Sequence, residues 1–324
     1  FGRFRSCMVY VPRDRYTTKV RRRIEGIVRA ACGGLQLETQ VQISDSSHAR
    51  LQMLMRVEPG AAPAVEIDAL EAAIAAATRT WADRLLEALG QHHDAVRARS
   101  LLGRYVTAFP PSYQDDVEPA AALADIAALE RLQSAAPAAL MLALRCAAPA
   151  NRLHLRIARK GEAIAISALL PVLENFGLRV LGERSYVIGG LPGGAAAVQD
   201  FELEYLGGVL DVGRAGARFE AALLAVWQGE LEDDGFNRLL FAAGLTGREI
   251  VVLRACCRFL LQAGVPFSRA SMERALLAEP RSAALLLRLF RESFDPDLPA
   301  RGREARRRRV LAQIEARFER VGSA

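Results

Sequence analysis

The groups in this chain able to do chemistry are four histidines, five cysteines, one acidic run and clusters of arginine. His92 and His93 are adjacent, and neighbours on a helix point about 100° apart, so they cannot readily share one metal ion. His48 falls in a polar turn and His154 on the outer side of an expected strand, neither with a local Asp or Ser arrangement that builds a catalytic triad. Cys7, Cys32, Cys146, Cys256 and Cys257 are odd in number and lack paired ligand spacing. That pattern supports neither a disulfide framework nor a zinc site and reads as buried free thiols.

Motifs that bind phosphate or activate a nucleophile are missing from the sequence. No Gly-x-Gly-x-x-Gly follows a strand pattern, and there is no P-loop, His-Glu-x-x-His or Gly-x-Ser-x-Gly. Gly189-Gly190 and Gly193-Gly194 read as a loop between strands, with no helix after them to hold an anion. The run Glu230-Leu231-Glu232-Asp233-Asp234 is read as negative charge gathered ahead of a helix near Phe236, where the dipole favours it. Catalytic, cofactor-binding and metal-ligating residues are therefore all expected to be none.

The formal charge is +6, but Lys19 and Lys160 are the only lysines among 43 basic residues. So strong an arginine bias looks like the codon usage of a GC-rich genome and weakens any argument from charge to nucleic acid. Arg306 to Arg309 lie beside Val310, Leu311, Ile314 and Phe318, a helical stripe, and are read as its solvated face. With Arg21 to Arg23 they leave a nucleic-acid interface as the weaker alternative.

These groups need elements to carry them. Ser6 to Val11 reads as a strand ending at Pro12, and Val20, Ile24, Ile27, Val28 and Ala31 fall on one helical stripe stopped by Gly33-Gly34. Leu35, Leu37, Thr39, Val41 and Ile43 alternate with polar residues, and Leu51, Met53, Met55 and Val57 repeat that period, predicting a half-buried hairpin. One helix through Ile67, Leu70, Ile74, Ala77, Trp81 and Leu85, opened by a capping box at Asp68 and Glu71, should cover it. Strand, helix, strand, strand, helix is the split βαβ order, with both helices on one face and the other face, including the even positions Gln36 to Gln42, open. This module is assigned residues 1–90.

Residues 91–137 read as a helical bridge, with one helix through Val96, Leu102, Tyr105 and Val106 and another through Leu123, Ile126, Leu129 and Leu132, stopped by Pro137. A second module, 138–208, begins with a hairpin from Leu140 to Cys146 and Leu153 to Ile157. A helix capped by Ser167, with Pro171 in its first turn and a stop at Gly177, comes next, then strands near Arg179 to Ile188 and Gln199 to Tyr205. From 209 to 324 only helical spacing remains, broken at Gly229, Gly244, Gly264 and Pro280. The expected fold class is α+β: two antiparallel-sheet modules joined by helices and followed by an all-helical segment.

A hydrophobic content of 51% over 324 residues suits two or three domains. No run approaches the roughly 18 apolar residues of a membrane helix, so a soluble, cytoplasmic protein is expected. The chain starts without methionine, and its Arg-rich helical pattern from Arg303 to Val321 stops in Gly322-Ser323-Ala324, which reads as a piece of a longer polypeptide.

Four segments resemble the large bacterial NAD-dependent glutamate dehydrogenases. They are Ser6 to Tyr16; Phe109-Pro110-Pro111-Ser112-Tyr113 with Asp125-Ile126 and Leu129-Glu130; Leu170 to Val180; and Gly229 to Leu239, continuing through Ala243-Gly244-Leu245, Arg248-Glu249 and Leu253-Arg254-Ala255. The resemblance implies ferredoxin-like ACT modules and helical motifs from the N-terminal region. It also implies that a downstream domain, outside these residues, binds NAD and oxidatively deaminates L-glutamate to 2-oxoglutarate and ammonia. None of that family's catalytic or nicotinamide-binding motifs matches a position here, so this segment by itself is expected to be inactive. Partners implied are further copies of itself in a homo-oligomer, the downstream catalytic domain, and an amino-acid effector held by Arg13, Asp14, Arg15 and Tyr16, where strand meets helix. That loop carries both signs of charge, as a zwitterion requires. The competing reading is a purely structural scaffold in which the same loop is a solvated turn and Asp14 helps start the helix.

Overall fold

A computed structural model describes residues 3–44, 46–58, 64–136 and 138–322, with side chains in the last helix described as far as Glu319. The chain forms two compact units, one made of the residues up to Val106 together with Pro111–Leu123, the other of Thr107–Pro110 and the chain from Ala124 onward. It is α+β, with two separate antiparallel sheets and a helical C-terminal part.

In the first unit β1 (Phe4–Pro12), α1 (Thr18–Cys32), β2 (Gln36–Gln42), β3 (His48–Arg56) and α2 (Ile67–Ala77) build an antiparallel sheet in the order β1-β3-β2. The register pairs Val9 with Leu51 and Leu37 with Met55, which sends Val9, Val11, Leu51, Met53 and Met55 to one side. There they meet Ile24, Val28 and Cys32 of α1 in a single core. The Thr17 hydroxyl caps α1 by accepting from the Val20 N–H at 3.2 Å, and the helix ends on Gly33 at φ 65°, a left-handed conformation that suits glycine.

Three details depart from the sequence pattern. Leu35, Val41 and Ile43 are exposed, because β2 is the edge of the sheet and only Leu37 and Thr39 come partly under cover. The open face is less polar than its glutamines suggest, since Phe4, Met8, Tyr10 and Leu54 lie exposed on it. The expected single covering helix is two, α2 and α3 (Trp81–Gly90). The break falls at Thr80, whose hydroxyl accepts from the Asp83 N–H at 3.1 Å while the Asp83 carboxylate accepts from the Thr80 N–H at 3.0 Å. The capping box is therefore here and not at Asp68, where α2 starts without a side-chain cap. Next come α4 (Ala95–Ala108) and α5 (Pro111–Asp116). The buried stripe of α4 is Ala98, Leu101, Tyr105 and Ala108; Tyr105 is covered as its period predicts, whereas Leu102 and Val106 are only half-buried and Val96 is exposed. The Trp81 indole N–H donates to the Val117 carbonyl at 2.8 Å, tying α3 to the chain after α5.

α6 (Pro119–Ser134) enters the second unit from Ala124 on and buries Ile126, Leu129 and Leu132 as its period predicts. Pro137, expected to stop it, lies outside the described residues. Then β4 (Leu140–Cys146), β5 (Arg152–Lys160), α7 (Ile166–Asn175), β6 (Leu178–Ile188), β7 (Ala196–Tyr205) and α8 (Val212–Trp227) form a sheet in the order β4-β5-β7-β6. Ser167 is not the cap of α7. The helix starts at Ile166 after an Ala165 that makes no side-chain cap, and Pro171 sits inside the helix beyond its first turn. Gly177 makes the left-handed stop at φ 81°.

α9 (Leu239–Ala242), α10 (Gly247–Gln262), α11 (Arg269–Ala278), α12 (Pro280–Phe294) and α13 (Arg303–Gly322) complete the chain. The inward side of the second sheet, through Leu155, Ile157 and Phe201, continues through Phe176 and Phe219 to Leu240, Ile250 and Leu253, so sheet and helices share one core.

The Thr80 box fixes where α2 gives way to α3. Thr80→Ala should lower stability by about 1 kcal/mol in urea unfolding, the usual cost of a lost cap. Asp83 is held below the ordinary carboxylate range, first by the Thr80 N–H. Its share of stability is therefore present above the unfolded-state pKa and lost as pH falls through the lower folded value. Asp83→Asn should flatten the acid limb of the stability profile in that window.

Candidate functional site

The turn from β1 into α1 holds the four residues the sequence singles out. After Pro12 the chain makes one 3-10 turn, Arg13–Arg15, and the Arg13 N–H donates to the Ser47 carbonyl at 2.9 Å, fastening the turn to the β2–β3 loop. The Arg13 guanidinium reaches the Ser44 carbonyl at 3.4 Å and remains exposed, as does Asp14. Arg15 turns the other way and pairs with Asp83 at 3.2 Å. Tyr16 is half-buried against the α1 core. Arg13 and Asp14 are thus displayed together, while Arg15 is committed to the start of α3 and Tyr16 anchors the turn. Thr17, not Asp14, caps α1.

The other reactive groups are distributed. Cys7 and Cys32 sit in the first core, and burial, then the neighbouring Cys32, pushes the Cys7 thiol up. Cys257 is buried and its thiol is likewise raised by burial, whereas Cys146 and Cys256 are exposed, so the expectation of uniformly buried thiols is corrected. Cys146 is the last residue of β4, in phase with the buried Leu140 and Leu144 but at the strand end, and Cys256 is the exposed neighbour of the buried Cys257 on α10. Among the described residues no group of three His, Cys, Asp or Glu is placed to hold a metal. His92 and His93 are exposed, and the His48 Nδ1 lies 2.9 Å from the neighbouring Ser47 hydroxyl.

His154 has a carboxylate after all. Its Nδ1 lies 3.1 Å from Asp200 on β7, and Arg156 pairs with both Asp200 at 3.1 Å and Asp125 of α6 at 3.0 Å. Arg152–Glu202 and Arg179–Glu204 extend the series across β5, β7 and β6. Cross-strand pairing of opposite charges explains this ladder, and long-range partners are invisible to a local reading of His154.

A second enclosed electrostatic cluster, around Arg254, is not predicted from the sequence pattern. Arg254, only 2% exposed, donates from Nε to Asp234 at 2.8 Å, and from Nη2 to the other Asp234 oxygen at 2.9 Å and to Asn237 at 3.1 Å. Arg269 pairs with Asp234 as well, and Arg258 with Glu232 at 2.5 Å. Asp234 also accepts from the Phe236 N–H, so the acidic run does precede a helical turn, Gly235–Arg238, and Asp234 caps it while clamping α10 and α11. An arginine flanked by Ile250, Leu253 and Cys257 on the buried side of α10 is the signal that could have found it.

Comparison with known proteins places these pieces. Family models match as glutamate dehydrogenase ACT2 domain over residues 1–82, helical motif 2 over 88–132, ACT3 domain over 137–215 and helical motif 3 over 231–296. The chain belongs to the glutamate dehydrogenase family. It is 32% identical over 297 residues to the NAD-specific glutamate dehydrogenase of Halomonas elongata, covering 91% of this chain and 18% of that protein. The NAD-specific glutamate dehydrogenase of Mycobacterium tuberculosis is 32% identical over 311 residues, 90% of this chain and 19% of its own length. That of Pseudomonas aeruginosa is 30% identical over 295 residues, 91% and 18%. The chain therefore spans about a fifth of the length of these relatives, in the ACT and helical-motif region of the glutamate dehydrogenase family. Among the described residues, no helix is long and apolar enough to cross a membrane.

The Asp234–Arg254 clamp should be structural. Arg254→Ala leaves an enclosed carboxylate short of its bidentate partner and should cost about 3 kcal/mol in equilibrium unfolding. Arg254→Lys should recover only part of that, because an ammonium cannot form the two parallel bonds.

Proposed function

We propose that this chain is the regulatory and assembly segment of a cytoplasmic NAD-dependent glutamate dehydrogenase, whose catalytic domain oxidatively deaminates L-glutamate to 2-oxoglutarate and ammonia with NAD bound outside these residues. The observation that carries this reading is the coincidence of two ACT matches with two helix-backed antiparallel sheets, in a chain 32% identical over 297 residues to a relative named NAD-specific glutamate dehydrogenase. The segment is read as acting on chemistry elsewhere, through a bound effector and through contacts with further copies of itself.

The β1–α1 turn is the proposed effector site. Arg13 is placed to receive an α-carboxylate and Asp14 an α-ammonium, both by charge-assisted hydrogen bonds. Arg15 would transmit occupancy, since its partner Asp83 belongs to the capping box that starts α3. A ligand that draws Arg15 from Asp83 shifts the balance at that helix start, and only such differential binding can couple the turn to a distant site.

Isothermal titration of the chain with a panel of amino acids should give saturable heat with at least one, weakened at least tenfold by Arg13→Ala. Absence of heat and of thermal shift with every member removes the effector role. The scaffold reading is supported by the exposed apolar residues Phe4, Met8, Tyr10 and Leu54 on the open sheet face. On that reading, deleting the segment from the full enzyme abolishes assembly while the panel stays silent.

A further inference from the structure

Among the described residues the two sheets are built on one plan, and the second carries one strand more than the first. β1-α1-β2-β3-α2 and β5-α7-β6-β7-α8 share the order strand, helix, strand, strand, helix, and their strands lie in the matching orders β1-β3-β2 and β5-β7-β6. Beside β5, the second sheet carries a fourth strand, β4, antiparallel to it. β4 sends Leu140 and Leu144 into the core, α8 packs on it, and Glu220 of α8 accepts from the Leu144 N–H at 2.8 Å.

The matching place beside β1 is a groove of about 860 Å³, walled by β1 from Arg5 to Tyr10 and by the α2 residues Ile67, Leu70, Ile74 and Ala75. These α2 positions fall on one helical stripe, yet Ile67 is 66% exposed and Leu70 and Ile74 are only half-buried. Ala77 is the one fully buried residue of α2, while α8 buries Phe219, Ala222, Leu223 and Val226 in the corresponding position. An apolar stripe poised over an edge strand, with a gap where its counterpart packs on a strand, is the signature of a missing sheet member.

We propose that this groove receives a single extended strand, antiparallel to β1 and carrying aliphatic side chains at alternate positions as β4 does, drawn from the longer polypeptide that relatives of this family possess. Six or seven residues at about 3.4 Å each match the length of the wall. A second copy of the chain fits less well: entering by its own β1 it brings its own α2, and two helices would claim the same side of one strand. The inference rests on reading the chain as part of a longer enzyme, and it is independent of whether an effector binds.

Hydrogen exchange by mass spectrometry on this chain alone and on the full-length enzyme tests it. Amides of β1 should exchange at least tenfold more slowly in the full-length enzyme, and Cys7, which lines the groove, should lose reactivity toward a thiol reagent, at every protein concentration. Ala75→Lys, at an exposed position of this chain, should leave its melting temperature unchanged and return β1 in the full-length enzyme to the rate of the isolated chain. Equal exchange in the two proteins overturns the proposal. So does protection that persists in the Ala75→Lys enzyme, or protection of the isolated chain that grows with its concentration, which would make a second copy the occupant. Assembly and amino-acid binding are measured separately, so failure of the regulatory reading leaves this result distinguishable.

Discussion

An antiparallel sheet with one apolar face has to be covered by a second layer, and every feature of this chain follows from how the two sheets obtain that cover. In the first, Val9, Leu51, Met53 and Met55 are sealed by the α1 stripe Ile24, Val28 and Cys32. At about 25 cal/mol per Å² of apolar area removed from water, that packing dominates anything the surface charges add. The two helices must then sit on the same side, and this leaves the opposite face and the β1–α1 turn displayed. The turn's position is a consequence of sheet cover, and Arg13 and Asp14 inherit their exposure from it.

The second sheet solves the same problem with more chain. β4 extends it on one side, α7 and α8 cover it, and the core runs on into α9, α10 and α12 without interruption. A longer apolar continuum brings charged residues closer to the interior, and the structure meets that cost by pairing. Arg254 is tolerated at 2% exposure because Asp234 and Asn237 accept from its Nε and Nη2, and Arg156 because Asp125 and Asp200 pair with it. A buried charge pair of this kind adds little net stability compared with apolar packing, but it penalises any arrangement that separates the partners. The clamp thereby fixes how α10 and α11 meet the turn before α9.

How much of this was legible in the sequence depends on the range of the interaction. Period-two runs such as Leu51 to Val57 and the stripe Val20 to Val28 report local burial, and the sheets and α1 stand where those patterns put them. The α2–α3 break is hidden from periodicity because Ile67, Leu70, Ile74, Ala77, Trp81 and Leu85 keep helical spacing across it, and Thr80 with Asp83 marks the interruption. The run ending at Asp234 reads as negative charge ahead of a helix, but the partners of Asp234, Arg254 and Arg269, lie 20 and 35 residues away and no local rule connects them. The candidate turn was found from charge and family resemblance. That Arg15 would be spent on Asp83 could not be read without knowing where α3 begins.

The division of labour inside that turn bears on regulation more than its composition does. A site formed by two exposed charges binds weakly, because water competes for both and side-chain freedom is lost on binding. Coupling needs a group whose partner can change between states, and in the proposed reading that group is Arg15: it bridges an exposed turn to a capping box whose two bonds together set the start of a helix. Asp83 can satisfy the Thr80 N–H and Arg15 at once, so drawing Arg15 away removes one bond and strengthens none. The energy available to such a signal is therefore bounded by that ion pair, which is partly exposed and worth about 1 kcal/mol at most. A bias that small in one segment moves an equilibrium appreciably only when several copies contribute together, so the proposed effector role of this turn depends on the proposed assembly into a homo-oligomer.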